Sequence, residues 1–397
     1  MSKTYLGDTF IWGEFDRAAV EYDLKYNQQK ECLKRSTSED CGDSQPIVTR
    51  IDSKTRKTEE TTHFTVTHNF QRIIEDEFLP KPPEIVSIGE HKVSAIGLGT
   101  LPLGVEYSGG GRPSRNDALS LIRQAIDDGV NFFDTADTYC IGPGDEHYCE
   151  RLLGEVIASH PNGHQVVVAT KAGMKRTGST SRGWSPAYYT PQQLKKTILK
   201  SRSLLCGDSG IIGLWQFHHS DGFDLADSQA FLDQLDVIKQ CMDEGIIQEV
   251  GLCNASVAHV KIAQDRIGKV ASIQNHYNFW DRSAERPNPR LVTKINKNNL
   301  LPLCMEQGMA FLPHGVLGGH KCREGLLKLG QVSQLRNMAK KKGVSVEALY
   351  LSWVRHKWPC VVLIVGCRSI AHLRDILSSR HVRFTRKEFK LINTIHK

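Results

Sequence analysis

The stretch Val130-Asn-Phe-Phe-Asp-Thr-Ala-Asp-Thr-Tyr139 decides how this chain is read. It opens as a short apolar run and closes on two ionisable groups, Asp134 and Tyr139, as a buried strand does when it delivers its last residues into a pocket. Two later runs end the same way. Residues 165–173 (QVVVATKAG) carry Lys171 near their end, and residues 211–221 (IIGLWQFHHSD) carry His218. Three apolar strands, each with a polar group at its carboxyl end, predict an α/β fold of the (β/α)8 TIM-barrel type, with its site on that face.

The four groups also make chemical sense together. A phenol with an ordinary pKa of about 10 is a weak acid near neutral pH, so a tyrosine that donates protons needs a cation beside it. Lys171 is that cation. At about 4 Å and an effective dielectric near 20 the Coulomb energy is roughly 4 kcal/mol, or about three pKa units. Asp134 would hold Lys171 charged and fixed, and His218 would orient a substrate oxygen or share the proton.

DTADTY, VVVATKAG and LWQFHHSD, in this order, resemble the aldo-keto reductases, and most of all their bacterial-type and potassium-channel β-subunit-like members. The resemblance covers residues 84–397. It implies an Asp/Tyr/Lys/His catalytic tetrad at Asp134, Tyr139, Lys171 and His218, on a barrel whose bottom is closed by an amino-terminal hairpin. It also implies a nicotinamide cofactor, NADP(H), because no side chain supplies a hydride. The cofactor contacts so implied are Gly99 and Thr100 after strand one, Cys253 and Asn254 after strand five, and Gln274 on strand six. His314 would stack on the nicotinamide ring, with Leu317 and Gly319 following it. Arg368 and Ser369 at a helix start would take the 2′-phosphate through charge-assisted bonds and the helix dipole, with His372 and Asp375 one turn on. Here Cys253 replaces the family's serine, His314 a larger aromatic ring, and Ile376 an asparagine near the adenine. The activity implied is reduction of an aldehyde or ketone to an alcohol with Tyr139 as general acid. The rival reading is a cofactor-binding structural or redox-sensing subunit, tethered to a protein partner through its amino-terminal arm.

That arm is residues 1–83. Its helical spacing at Phe15, Ala18, Ala19, Tyr22 and Tyr26 gives way to a polar tract over residues 36–62 with too little apolar surface to fold alone. It is expected either to stay a partly disordered tail or to clamp onto the barrel or a partner through its aromatic residues, Tyr5, Phe10, Trp12 and Phe15 among them. Leu79-Pro-Lys-Pro-Pro83 marks the boundary, since dense prolines favour extended chain. After it, residues 84–94 read as a hairpin turning at Gly89-Glu90. Strand and helix patterns then alternate, with strands at 95–100, 130–139, 165–173, 211–221, 248–254, 270–274, 309–314 and 360–366.

Lys+Arg number 51 against 44 Asp+Glu, a net charge of +7. The first 80 residues hold 11 basic and 15 acidic residues, which leaves 40 against 29 for the barrel. A basic barrel suits an anionic ligand. No Lys/Arg run interleaves with aromatics, so nucleic acid is excluded as a partner. The 11 cysteines include no CxxC pair and no zinc spacing, which points to a reducing compartment and no metal. No signal-like segment and no run of roughly 18 apolar residues is present, so a cytoplasmic location is expected. Gly109-Gly110-Gly111 and Gly142-Pro143-Gly144 read as turns, because neither has the strand-to-helix setting of a phosphate loop. Trp184, Tyr188, Tyr189 and Trp280 fall in loops that would shape a pocket for an apolar or aromatic carbonyl.

Overall fold

The computed structural model describes residues 78–106, 111–179, 183–219, 229–285, 299–318 and 332–395. Residues 1–77, most of the arm, lie outside this set. So does Gly319.

A hairpin comes first, β1 (Ile85–Ile88) paired antiparallel with β2 (His91–Ser94). Gly89 takes a positive φ of 57° at the turn, a conformation cheap only for glycine. The barrel strands follow as β3 (Ile96–Gly99), β4 (Phe132–Asp134) and β5 (Val167–Ala172). Two short strands, β6 (Met174–Arg176) and β7 (Trp184–Pro186), form an antiparallel pair of their own. The barrel resumes with β8 (Ile212–Phe217), β9 (Ile247–Cys253), β10 (Ser272–Gln274), β11 (Ala310–Phe311) and β12 (Leu363–Gly366). These eight pair in parallel in the order β11-β10-β9-β8-β5-β4-β3-β12. A parallel bridge between Phe311 and Val361, with Phe311 N–H donating to Cys360 O at 2.9 Å, joins the two ends, so the sheet closes.

Helices fill the connections, and their sequences explain where they begin. Ser114 caps Arg115–Asp127 by accepting from Asp117 N–H, and Thr190 caps Pro191–Cys206 in a reciprocal box with Gln193. The hairpin β6–β7 and the helix Arg386–Thr394 were not expected from the alternation, whereas the helix Val257–Ile267 fills the connection it requires between the fifth and sixth barrel strands.

Parallel strands covered on both faces must be apolar on both, and two cores result. The outer core lies between sheet and helices. The inner one fills the barrel with Phe132, Ala169, Leu214, Ala271, Ala310 and Ile364, and the hairpin residues Val86, Ile88 and Val93 plug its amino-terminal end. Strand period two then fixes what lies above this plug. Asp134 shares a face with Phe132, Lys171 with Ala169, and Gln216 with Leu214, so all three enter the barrel at its carboxyl end.

Candidate active site

Lys171 is fully buried. Its ammonium donates to Asp134 Oδ1 at 2.7 Å and to the Thr135 carbonyl at 2.7 Å. The other carboxylate oxygen, Asp134 Oδ2, accepts from Gln274 Nε2 at 2.7 Å and Gln216 Nε2 at 3.2 Å. A buried ion pair therefore sits in a shell of amide donors, which is the condition for such a pair to persist. The Lys171 ammonium stands 4.6 Å from the centroid of the Tyr139 ring. Tyr139 and His218 meet edge to face at 6.1 Å, and Trp184 closes a triangle with them at 5.9 and 6.0 Å. The Arg176 guanidinium lies 4.2 Å over Trp184. The four residues of the expected tetrad thus converge from β4, β5 and the end of β8.

Burial, then the charge of Lys171 and the neighbouring histidines His314 and His219, hold His218 well below the usual histidine range. It is a neutral imidazole near pH 7, able to donate from one nitrogen and accept at the other. Its Nδ1 is buried without a hydrogen-bond partner.

The residues expected to hold a cofactor divide into two groups. Asn254, in a left-handed conformation at φ 54°, donates from Nδ2 to His218 O at 3.2 Å and pairs through Oδ1 with His314 Nε2 at 3.0 Å. Together with Cys253 at the end of β9 and Gln274, these line the strand ends next to the tetrad. Gln274 donates from Nε2 to Asp134, so that donor is shared between the carboxylate and any ligand. Thr100 donates its hydroxyl to Asp134 O at 3.0 Å and so fixes the end of β4. Gly99 has a packing reason for its bareness, because a Cβ there would meet Ile364 O at 2.7 Å. Leu317 packs half-buried against the outer core.

The second group lies after β12. Ser369 caps the helix Ile370–Ser378 by accepting from His372 N–H at 3.2 Å, and Arg368 reaches the Gly111 carbonyl. Asp375 accepts from the Ser345 hydroxyl at 2.8 Å and so joins two helices. Amides and an imidazole beside the tetrad, and an arginine at a helix amino terminus, form a donor set that fits a carboxamide-bearing ring at one end and an anion at the other.

Gln216 escaped the sequence reading, although a polar residue two before His218 in an apolar strand must share its inward face. Three more buried polar groups, Asp137, Glu150 and Thr170, also escaped it, as did the half-buried His147 beside them. Tyr189, expected in the pocket, instead donates to Asp137 Oδ2 at 3.3 Å. Trp184 stands at the tetrad, whereas Tyr188 is exposed and Trp280 packs edge-on against Phe279 at 4.9 Å. Among the described residues, no group of three or more metal-ligating side chains is clustered. None of their helices is long and apolar enough to cross a membrane.

Residues 95–397 match the model of the aldo/keto reductase family. The chain belongs to the aldo/keto reductase family. Its relatives include pyridoxine 4-dehydrogenase of Escherichia coli, 24% identical over 310 residues that cover 78% of this chain and 97% of the relative. An uncharacterised oxidoreductase of Schizosaccharomyces pombe is 26% identical over 306 residues, 77% of this chain and 87% of the relative. Among solved structures, glycerol dehydrogenase from Gluconobacter oxydans superposes with a TM-score of 0.61 at 22% identity, over 81% of this chain and 95% of that one. An aldo-keto reductase from Klebsiella pneumoniae in complex with NADPH gives 0.61 at 22%, over 80% and 96%. At that identity the two structures support the barrel and no more. As a family member this aldo/keto reductase is an oxidoreductase that works with a nicotinamide cofactor.

Proposed function

We propose that this aldo/keto reductase uses NADPH to reduce an aldehyde or ketone to the alcohol, with Tyr139 as the general acid. The observation that carries the reading is the Lys171 ammonium held by Asp134 at 2.7 Å and standing 4.6 Å from the Tyr139 ring. When bound, the reduced nicotinamide supplies a hydride. Asn254, Cys253, Gln274 and His314 would hold it, and Arg368 with Ser369 would take the 2′-phosphate. Tyr139 then gives its hydroxyl proton to the oxygen that gains charge, and Lys171 stabilises the phenolate left behind. Asp134 keeps that ammonium in place. The neutral His218 orients the oxygen without competing for the proton. Trp184, edge-on to both rings, gives the pocket an apolar wall that suits an apolar or aromatic carbonyl.

Replacing Tyr139 with Phe tests this. Turnover should fall by about 10²–10⁴-fold, the usual contribution of a positioned acid, while NADPH affinity by fluorescence titration stays within about two-fold. Undiminished turnover would refute the assignment. Tight NADPH binding with no oxidation by any carbonyl in a panel of model aldehydes and ketones would point instead to a cofactor-binding subunit. Residues 1–83 are proposed as the arm that would tether such a subunit. Identical pulldown profiles for the full chain and one beginning near residue 85 would remove that idea.

A further inference from the structure

Gln216 belongs to the shell around Asp134 and has no part in the proposed reduction. It is 0% exposed. In the register of β5 and β8 it stands opposite Lys171, so the two side chains enter the barrel from the same face. On its other side Gln216 pairs with Gly251 of β9, where a Cβ would meet Gln216 Cγ at 3.1 Å and Ser272 Oγ at 2.2 Å. The bare backbone at Gly251 leaves the glutamine stem its place. From there Gln216 Nε2 donates to Asp134 Oδ2 at 3.2 Å, and its Oε1 accepts from Gln274 Nε2 at 3.3 Å. Both bonds are long for N–H···O contacts, so the amide is a weak stability device. A thioether of the same length would fill the space with no polar atom to satisfy. What the amide does, it does to Asp134.

We propose that Gln216 is a positioning residue for the tetrad: with Gln274 it holds Asp134 Oδ2, fixes the plane of that carboxylate, and so keeps the Lys171 ammonium against the Tyr139 ring. The torsion that turns a carboxylate about its Cβ–Cγ bond is soft, and turning it swings the two oxygens in opposite senses. Two amides on Oδ2 stop that rotation. Oδ1 is then a fixed anchor, and with the Thr135 carbonyl it takes two of the three N–H bonds of Lys171, each at 2.7 Å. The ammonium has little freedom left, and it stands 4.6 Å from the centroid of the Tyr139 ring. With the amide of Gln216 gone, one amide donor remains on Oδ2, the carboxylate turns more freely, and the ammonium follows it away from the phenol. At an effective dielectric near 20, each ångström of retreat removes on the order of half a pH unit of support for the phenolate.

The kinetic side of this inference rests on the reductase reading, and the titration side does not. Gln216→Met, which keeps the length and loses the amide, and Gln216→Glu, which adds a negative charge once ionised, are compared with the unsubstituted full chain. The Tyr139 phenol is titrated by ultraviolet difference absorbance, each protein being read against its own Tyr139→Phe version. The midpoint should rise by about half a pH unit or more in Gln216→Met, and further in Gln216→Glu. In the reduction of a model aldehyde, the alkaline limb of the kcat profile should move up by the same amount, and kcat near pH 7 should fall about two-fold or more as the acid weakens. An unmoved midpoint in Gln216→Met overturns the proposal. So does a kcat that falls equally at every pH with the alkaline limb in place, which is what a merely structural loss gives. Should the protein reduce no carbonyl, the difference titration still decides. Should Gln216→Met fail to fold, Gln216→Glu decides: its midpoint should lie above that of the unsubstituted chain, and equality overturns the proposal.

Discussion

At the scale of single residues the site depends on how one buried carboxylate is satisfied. Asp134 takes an ammonium on one oxygen and two amides on the other, and it is 2% exposed. Removing one partner of a buried pair leaves the other charge without compensation, which costs far more than the pair contributes net. Lys171→Met, close in shape, should therefore destabilise the protein by about 3–5 kcal/mol in urea unfolding, as well as ending turnover. A loss below about 1 kcal/mol would mean that Gln216 and Gln274 alone satisfy Asp134. The expected residues Asp134, Tyr139, Lys171 and His218 could be read because each interrupts an apolar run at its carboxyl end. Asp137, Glu150 and Thr170 could not, because nothing in the local pattern says that residues 137, 150 and 170 face one another.

At the scale of elements, the position of Tyr139 is set by a four-residue helix, Leu101–Gly104, which follows β3. Gly104 lies so close to the Tyr139 backbone that a Cβ would stand 2.2 Å from Tyr139 O and 2.7 Å from Cys149 Sγ. The carbonyl belongs to the residue proposed as the general acid, so it cannot yield without moving that residue. Gly104→Ala should cost about 1–3 kcal/mol, the usual cost of overpacking, and should lower kcat more than it alters NADPH affinity. Unchanged kcat would show that the strain is absorbed at Cys149. The β6–β7 hairpin that brings Trp184 to the tetrad also acts at this scale. Its two strands are three residues each and half-buried, too short for a period-two pattern to register.

At the scale of the whole molecule, the chain just before the barrel is part of its closure. Leu79 N–H donates to Phe384 O at 2.8 Å, the Arg383 guanidinium lies 5.6 Å over the Phe78 ring, and the buried Arg355 donates to Pro83 O at 2.9 Å and pairs with Glu84 at 3.3 Å. A chain beginning at residue 85 should therefore melt below one beginning at residue 78, by about 2–4 °C for each kcal/mol lost with these bonds. Equal Tm values would show that the contacts contribute nothing net. Stability against acid is also a property of the whole fold. Burial, only partly offset by its bond to the Ser352 carbonyl, holds His356 down to about 4. Between about pH 6.5 and about pH 4 the unfolded chain takes up a proton that the fold refuses, so stability falls as pH falls through that window. His356→Leu should make this acid limb shallower in thermal melts, and an unchanged limb would assign it to other groups.

The sequence by itself determined the barrel and its family, and it named the four residues proposed as a tetrad. Strand periodicity, helix caps and the polar endings of apolar runs are local, and each is written within about ten residues. Tertiary structure alone decided that Gln274 turns to Asp134, that Asp375 joins two helices through Ser345, and that Tyr189 meets Asp137. Those bonds span 30 to 140 residues. Their partners are selected by which polar atoms burial leaves facing each other, and only the closed barrel sets that.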